Sequence, residues 1–266
     1  VSFADIVPLW LVLGRHAVPC PVGETMIARA LLAQAGRAAP DGPIAIAAQA
    51  PGAAGRVIGA ALARHLLVEW EGNLYLAAVA GQAGATGELA ASVRWHSETA
   101  TPVGPIVAGG LRRAAAVLRA ALTAGAADRL TTMTAGYANE RIQFGKPIGK
   151  QQALQQQLAV MAEDMVAARI AAHIGGAVSF PPALAAAATA KSVASSAAAR
   201  VAAIAHAVHG AIGISEEYDL QLYTRRLQAW RLADGSESYW NRLLGAERLA
   251  APSGSVDFVR TALAPA

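Results

Sequence analysis

The 266-residue chain has room for one large domain or two modest ones, and with 55% hydrophobic and 15% charged residues its composition excludes a disordered chain. A net charge of +4 without any Lys/Arg block, and only 5% aromatic residues, provide neither a polyanion-binding stripe nor a base-stacking surface, so no nucleic-acid partner is expected. The apolar excess is mostly Ala, the residue that costs a helix least, so a mainly α fold is expected.

Residues 1–36 read as helix, turn, helix. Asp5 and Pro8 interrupt the apolar run VSFADIVPLWLVL, which begins without a basic region, and no signal peptide is read there. The single cysteine, Cys20, excludes an internal disulfide and fits a reducing, cytoplasmic setting; its proline-flanked apolar surroundings predict a buried packing role. The second helix follows PVGET, with Met26, Ala30, Leu31 and Ala35 at helical spacing and Gly36 as its stop. Residues 1–41 thus form a short helical segment.

Over 42–105, Gly and Pro punctuate the short apolar runs IAIAA, GRVIGAAL, HLLVEW, NLYLAAV and ELAASVRW, which predict a reduced β-rich region. Glu71-Gly72-Asn73 supplies a hairpin turn between two of them.

From 106 to 266 the pattern is helical. Leu111, Ala115, Leu118, Leu122, Ala126, Leu130, Met133 and Tyr137 stripe one long helix. Lys146-Pro147-Ile148 breaks the chain, and Leu154, Leu158, Met161 and Met165 stripe a second helix. Phe180-Pro181-Pro182 breaks it again before a third helix, striped by Val193, Ala197, Val201, Ile204 and Val208 and closed by HGAIG. One or two more helices cover about 216–250. Short links between long helices imply an up-and-down bundle, and the broad Ala-rich faces imply a subunit interface. No run of about 20 strongly apolar residues is free of charge, so no membrane span is expected.

Two stretches of this helical part, YANERIQFGKPIGKQQAL (137–154) and HGAIGISEEYDLQLYTRRLQAWRLADGSE (209–237), resemble the acyl-CoA dehydrogenase family. The first matches its Arg-x-Gln-Phe-Gly motif with a Gln seven residues after the Gly. The second matches its Gly-Gly-x-Gly turn, a Glu-Tyr pair and an acidic residue before Gly-Ser/Thr. The likeness covers about 150 residues well and is thinner over 1–105. It implies an acyl-CoA dehydrogenase-like helical bundle, FAD as cofactor, an acyl-CoA substrate, an electron-transfer partner, and a homodimer or a hetero-oligomer with another chain of the family. The match has gaps: Ala207 stands where many members have Gln, Ala211 replaces the second turn glycine, and the family's flavin-contacting Thr-Glu-x-x-Gly-Ser segment is not recognisable. Residues 1–41 are short for its N-terminal helical domain. The chain looks like the reduced partner in a two-chain assembly.

The first motif has chemistry of its own. Arg141 can face a pyrophosphate, Phe144 offers an apolar face to adenine, Gly145 lets the backbone turn close to a ligand, and Gln143 and Gln152 carry amide donors and acceptors. A plain helix end, with Gly145 as stop and Pro147 beyond it, explains the same residues. The resemblance adds Gly210, Gly213 and Ser236 as cofactor contacts and Arg112 as a CoA contact. It also makes Asp234 the base that takes the α-proton of an acyl-CoA thioester while a hydride leaves the β-carbon. That role needs an unpaired carboxylate in a dry pocket. Alternatively, Asp234-Gly235-Ser236-Glu237 is an acidic N-cap of the helix that follows. His206 and His209 share a helix face, but no Glu or Cys joins them at ligand spacing, so no metal is expected.

Overall fold

The computed structural model describes residues 3–79, 89–177 and 180–263. Two helices, α1 (Phe3–Arg15) and α2 (Val22–Gln34), precede six strands: β1 (Ile44–Ala48), β2 (Gly55–Ile58), β3 (His65–Trp70), β4 (Asn73–Ala78), β5 (Ala90–Val93) and β6 (Thr101–Pro105). The long α3 (Gly110–Glu140) leads into the two-residue strands β7 (Ile142–Gln143) and β8 (Lys146–Pro147). The helices α4 (Gln152–Gly176), α5 (Leu184–His209), α6 (Leu220–Leu232), α7 (Glu237–Ala250) and α8 (Ser255–Leu263) follow. The chain forms two compact units. One takes Pro19–Leu118 with Phe180–Pro182; the other takes α1, α3 from Arg119 onward, α4 and the helices from Ala183 on.

In the smaller unit β1, β3, β4 and β6 form a sheet in the order β1-β3-β4-β6, with β1 parallel to β3 and the other pairs antiparallel; β2 and β5 pair separately. Glu71 (φ 48°) and Gly72 (φ 71°) make the expected turn between β3 and β4. The sequence gives little sign of β6, because Pro102, Gly104 and Pro105 are poor strand residues; they are tolerated because β6 is an edge. Ala45, Leu66, Val68, Val93 and Trp95 build the core. Buried Glu69 on β3 accepts hydrogen bonds from the backbone N–H groups of Gly109 and Leu111, satisfying donors that the start of α3 leaves without helical partners. Two expectations change. The buried face of α2 is Ile27, Ala28, Leu31 and Leu32, so the stripe lies about one residue off the predicted one. Cys20 is exposed: it sits at the surface between Pro19 and Pro21, outside any packed face.

The larger unit is the bundle. Residues 119–127 of α3 are buried on every side, beyond the single stripe its periodicity shows. Glycines bring backbones together. A Cβ on Gly14 would collide with the Leu122 carbonyl, and one on Gly125 with the carbonyl of Leu11, so α1 lies directly on α3. Arg15 pairs with Asp128 across the same contact. Arg200 on α5 pairs with Asp164 on α4, Nε to Oδ2 2.7 Å. The stretch Leu184–Ile214 is long and apolar enough to cross a bilayer by length and composition alone. Its α5 part is a core helix of the bundle, with Ala185, Ala188, Ala198 and Val201 buried and Lys191 and Arg200 along it.

Candidate functional site

The segment predicted to grip a cofactor is a hairpin set directly on the end of α3, where the N–H of Arg141 still donates to the Tyr137 carbonyl (2.9 Å). α3 stops at Glu140, and β7 and β8 are joined through Phe144 (φ 50°) and Gly145 (φ 75°). Two successive left-handed residues define a tight hairpin turn that Gly accommodates without cost and Phe does not. The base of the hairpin is fixed: the N–H of Ile148 donates to the Arg141 carbonyl (2.8 Å), and Ile148 is buried with Ala138 and Val208. Its tip stands in solvent. Arg141 and Gln143 are exposed and Phe144 is 91% exposed. Gln152, the first residue of α4, is exposed as well.

The two stretches quoted above meet at this end of the bundle. Tyr137, one turn before the hairpin, stacks on His209 at a centroid distance of 4.4 Å and donates its hydroxyl to the His209 carbonyl (3.4 Å). Tyr218 lies 5.2 Å from the same imidazole. Gly210 takes φ 61° and turns the chain out of α5, while Gly213 is buried against His209 and Leu220. His209 is bonded through Nδ1 to the Ala205 carbonyl (2.8 Å), its Nε2 is buried without a partner, and burial lowers its pKa. Nε2 of His206 meets the Thr224 hydroxyl at 3.1 Å. Among the described residues no three His, Cys, Asp or Glu are grouped to hold a metal ion.

Asp234 occupies the turn between α6 and α7 in the left-handed region, φ 59°. Its carboxylate is not unpaired. Arg119 of α3, 1% exposed, donates from Nε to Oδ2 at 3.0 Å, and the Asp234 side chain is 17% exposed. Nor is Asp234 the cap of α7. That position belongs to Ser236, which makes no side-chain capping bond, and Glu237 pairs with Arg231 (Nε 3.1 Å from both oxygens). The arrangement therefore lacks the unpaired carboxylate that α-proton removal requires, because Oδ2 is already occupied by the Arg119 guanidinium. Beside it lies Lys191, 1% exposed, which sequence reading passed over along with Arg119. Each shares an Ala-rich helix with other cations, Arg119 with Arg112, Arg113 and Arg129 on α3 and Lys191 with Arg200 on α5, so the sequence does not mark it as the buried one.

Arg112, expected at a CoA, donates to the Ala48 carbonyl at 3.0 Å in the smaller unit. The donors of the hairpin fit one wall of an FAD site: a guanidinium and an amide for a pyrophosphate and adenosine, with an aromatic face beside them.

Residues 110–250 match the family model "Acyl-CoA dehydrogenase, C-terminal domain". The chain belongs to the acyl-CoA dehydrogenase family. It is 36% identical over 161 residues to acyl-CoA dehydrogenase IpdE2 of Mycobacterium tuberculosis, a match covering 55% of this chain and 48% of that protein. The chain thus spans about half the length of that relative. Among solved structures, the ChsE4-ChsE5 complex from Mycobacterium tuberculosis shares its fold with TM-score 0.74 at 24% identity, covering 94% of this chain and 81% of that one. The steroid ACAD Tcur3481-Tcur3483 does so with TM-score 0.72 at 23% identity, covering 94% and 82%.

Proposed function

We propose that the chain is one subunit of an FAD-dependent acyl-CoA dehydrogenase, and that it completes an FAD site shared with a second chain of the same family. The observation that carries this reading is the exposed Arg141–Lys146 hairpin, whose base is anchored and whose ligand-type side chains stand in solvent. Such a wall gains a ligand when another subunit closes over it. Two-chain relatives support the choice of partner: ChsE4-ChsE5 is a complex of two chains, and the Tcur3481-Tcur3483 protein is a steroid enzyme, which favours a bulky acyl group.

In this assembly Arg141 neutralises the pyrophosphate, Gln143 and Gln152 bond the adenosine half, Phe144 covers the adenine, and Gly210, Gly213 and Ser236 line the cofactor. FAD, when bound, supplies the hydride acceptor for α,β-dehydrogenation of an acyl-CoA thioester. Asp234 holds Arg119, so the reading assigns the α-proton to a base on the second chain. A second reading, with Asp234 as base, keeps one supporting observation: its side chain remains partly exposed.

The test is spectroscopic. The chain purified alone should lack flavin absorbance, and the chain co-purified with its partner should be yellow and lose FAD more readily with Arg141→Ala. A chain that binds FAD tightly by itself would sink the shared-site reading.

A further inference from the structure

We propose that Lys191 is the positioning residue of the Asp234 turn: its ammonium latches the end of α6 to the start of α7, and the turn loosens when that proton is lost. The Nζ donates three hydrogen bonds, to the Ser195 hydroxyl (2.9 Å), the Arg231 carbonyl (2.8 Å) and the Gly235 carbonyl (2.8 Å). The Arg231 carbonyl lies in the last turn of α6, where carbonyls have no helical partner; Gly235 lies beyond the break. One side chain from α5 thus spans the link on which Asp234 and Ser236 sit. From the other sides Arg119 holds the Asp234 carboxylate and the Trp240 indole donates to the Asp234 carbonyl (3.2 Å). The turn has no room to rebuild, because a Cβ on Gly235 would lie 2.8 Å from the Trp240 indole nitrogen.

Three donors meet three acceptors. A neutral amine has two N–H bonds and a lone pair, so loss of the proton leaves one buried oxygen without a donor. The charges around the ammonium come from every packed element. Asp234 in the turn and Glu237 on α7 favour the proton; Arg119 on α3 and Arg231 on α6 oppose it. Burial opposes it most and brings the pKa down from 10.5 to about 7. That Asp234 and Ser236 face a flavin rests on the proposed function. The latch does not, so it is tested without FAD.

The experiment follows the Trp240 indole N–H resonance of the ¹⁵N-labelled chain, assigned through Trp240→Phe, from about pH 6 to about pH 10. The wild-type resonance should shift with a midpoint near pH 7, while that of Trp10, packed edge-on against Phe3 in α1, stays still. Lys191→Met should displace the Trp240 resonance and abolish its titration. Ser195→Ala, which keeps the charge and removes one acceptor, should lower the midpoint. A lysine that served packing alone would alter the melting temperature without a pH-dependent Trp240 signal. The proposal is overturned if Lys191→Met leaves the resonance and its titration unchanged, or if the wild-type resonance is fixed across the range. Where Lys191→Met does not fold, Ser195→Ala decides, and an unmoved midpoint overturns it.

Discussion

Arg119 is buried and positively charged, and Asp234 is the carboxylate that compensates it. Removing that carboxylate takes one charged partner from a buried guanidinium, a change that costs up to about 3 kcal/mol because Asp234 is partly exposed. Asp234→Asn should therefore lower the denaturation midpoint in urea, and Arg119→Leu combined with Asp234→Asn should recover much of the loss. In the proposed two-chain assembly, turnover of Asp234→Asn should track the folded fraction. A hundredfold fall in kcat at unchanged stability would return the role of base to Asp234. Two other groups set the pH dependence. Burial lowers the His209 pKa below 6.5, so the unfolded chain takes the proton first and stability drops as pH falls through 6.5. Lys191 acts in the same sense at higher pH. With a folded pKa of about 7 against 10.5, the unfolded chain binds the proton between those values, and stability rises as pH climbs across that window. Melting temperatures measured from about pH 5 to about pH 9 should increase throughout.

At the scale of elements, the hairpin and the helix contacts respond differently to substitution. Arg141→Ala touches an exposed tip, so the bundle should melt unchanged while FAD affinity in the assembly falls by about 2–4 kcal/mol, read by equilibrium titration. Gly125→Ala should destabilise the chain by about 1–3 kcal/mol, since its Cβ has to displace the α1 backbone. Gly136→Ala on the same helix meets open space and should stabilise by up to about 1 kcal/mol. Denaturation curves of the pair separate packing from propensity. The long helices were legible from their apolar spacing, as α3 and α4 illustrate, because periodicity reports which side is buried. It could not report that α3 is buried all round, since Ala satisfies both a surface and a core. The hairpin hid behind helix-stop residues, Gly145 and Pro147, which serve a tight turn equally well. The ion pair between Arg119 and Asp234 joins residues 115 positions apart, and spacing carries no signal at that range.

The molecule as a whole carries apolar side chains in solvent on several helices. Leu249 is 87% exposed, Leu232 66%, Val256 64% and Ile170 54%. These positions, with the exposed hairpin, fit a subunit that buries more surface in an assembly. Light scattering at micromolar concentration should give a dimer or larger species, alone or with the second chain. A monomer in both samples would count against the shared FAD site as well. Family and fold were readable from two short motifs because those motifs sit in the bundle. Whether this chain supplies the base was not, because that depends on what surrounds Asp234 in space.

The contact between α1 and α3 also bears on how the chain is made. Arg15 and its partner Asp128 are 113 residues apart, and the glycine contacts of Gly14 and Gly125 join the same two helices. During synthesis at about 5–20 residues per second, α1 emerges many seconds before the backbone that seats it. Until then Val7 and Trp10, fully buried in the finished protein, have no core to enter. The early chain therefore exposes a sticky helix, and α1 should be the segment that a nascent-chain chaperone holds longest. Ribosome-bound chains stopped before Arg119 should be cut by protease within α1, whereas chains extended past α5 should protect it.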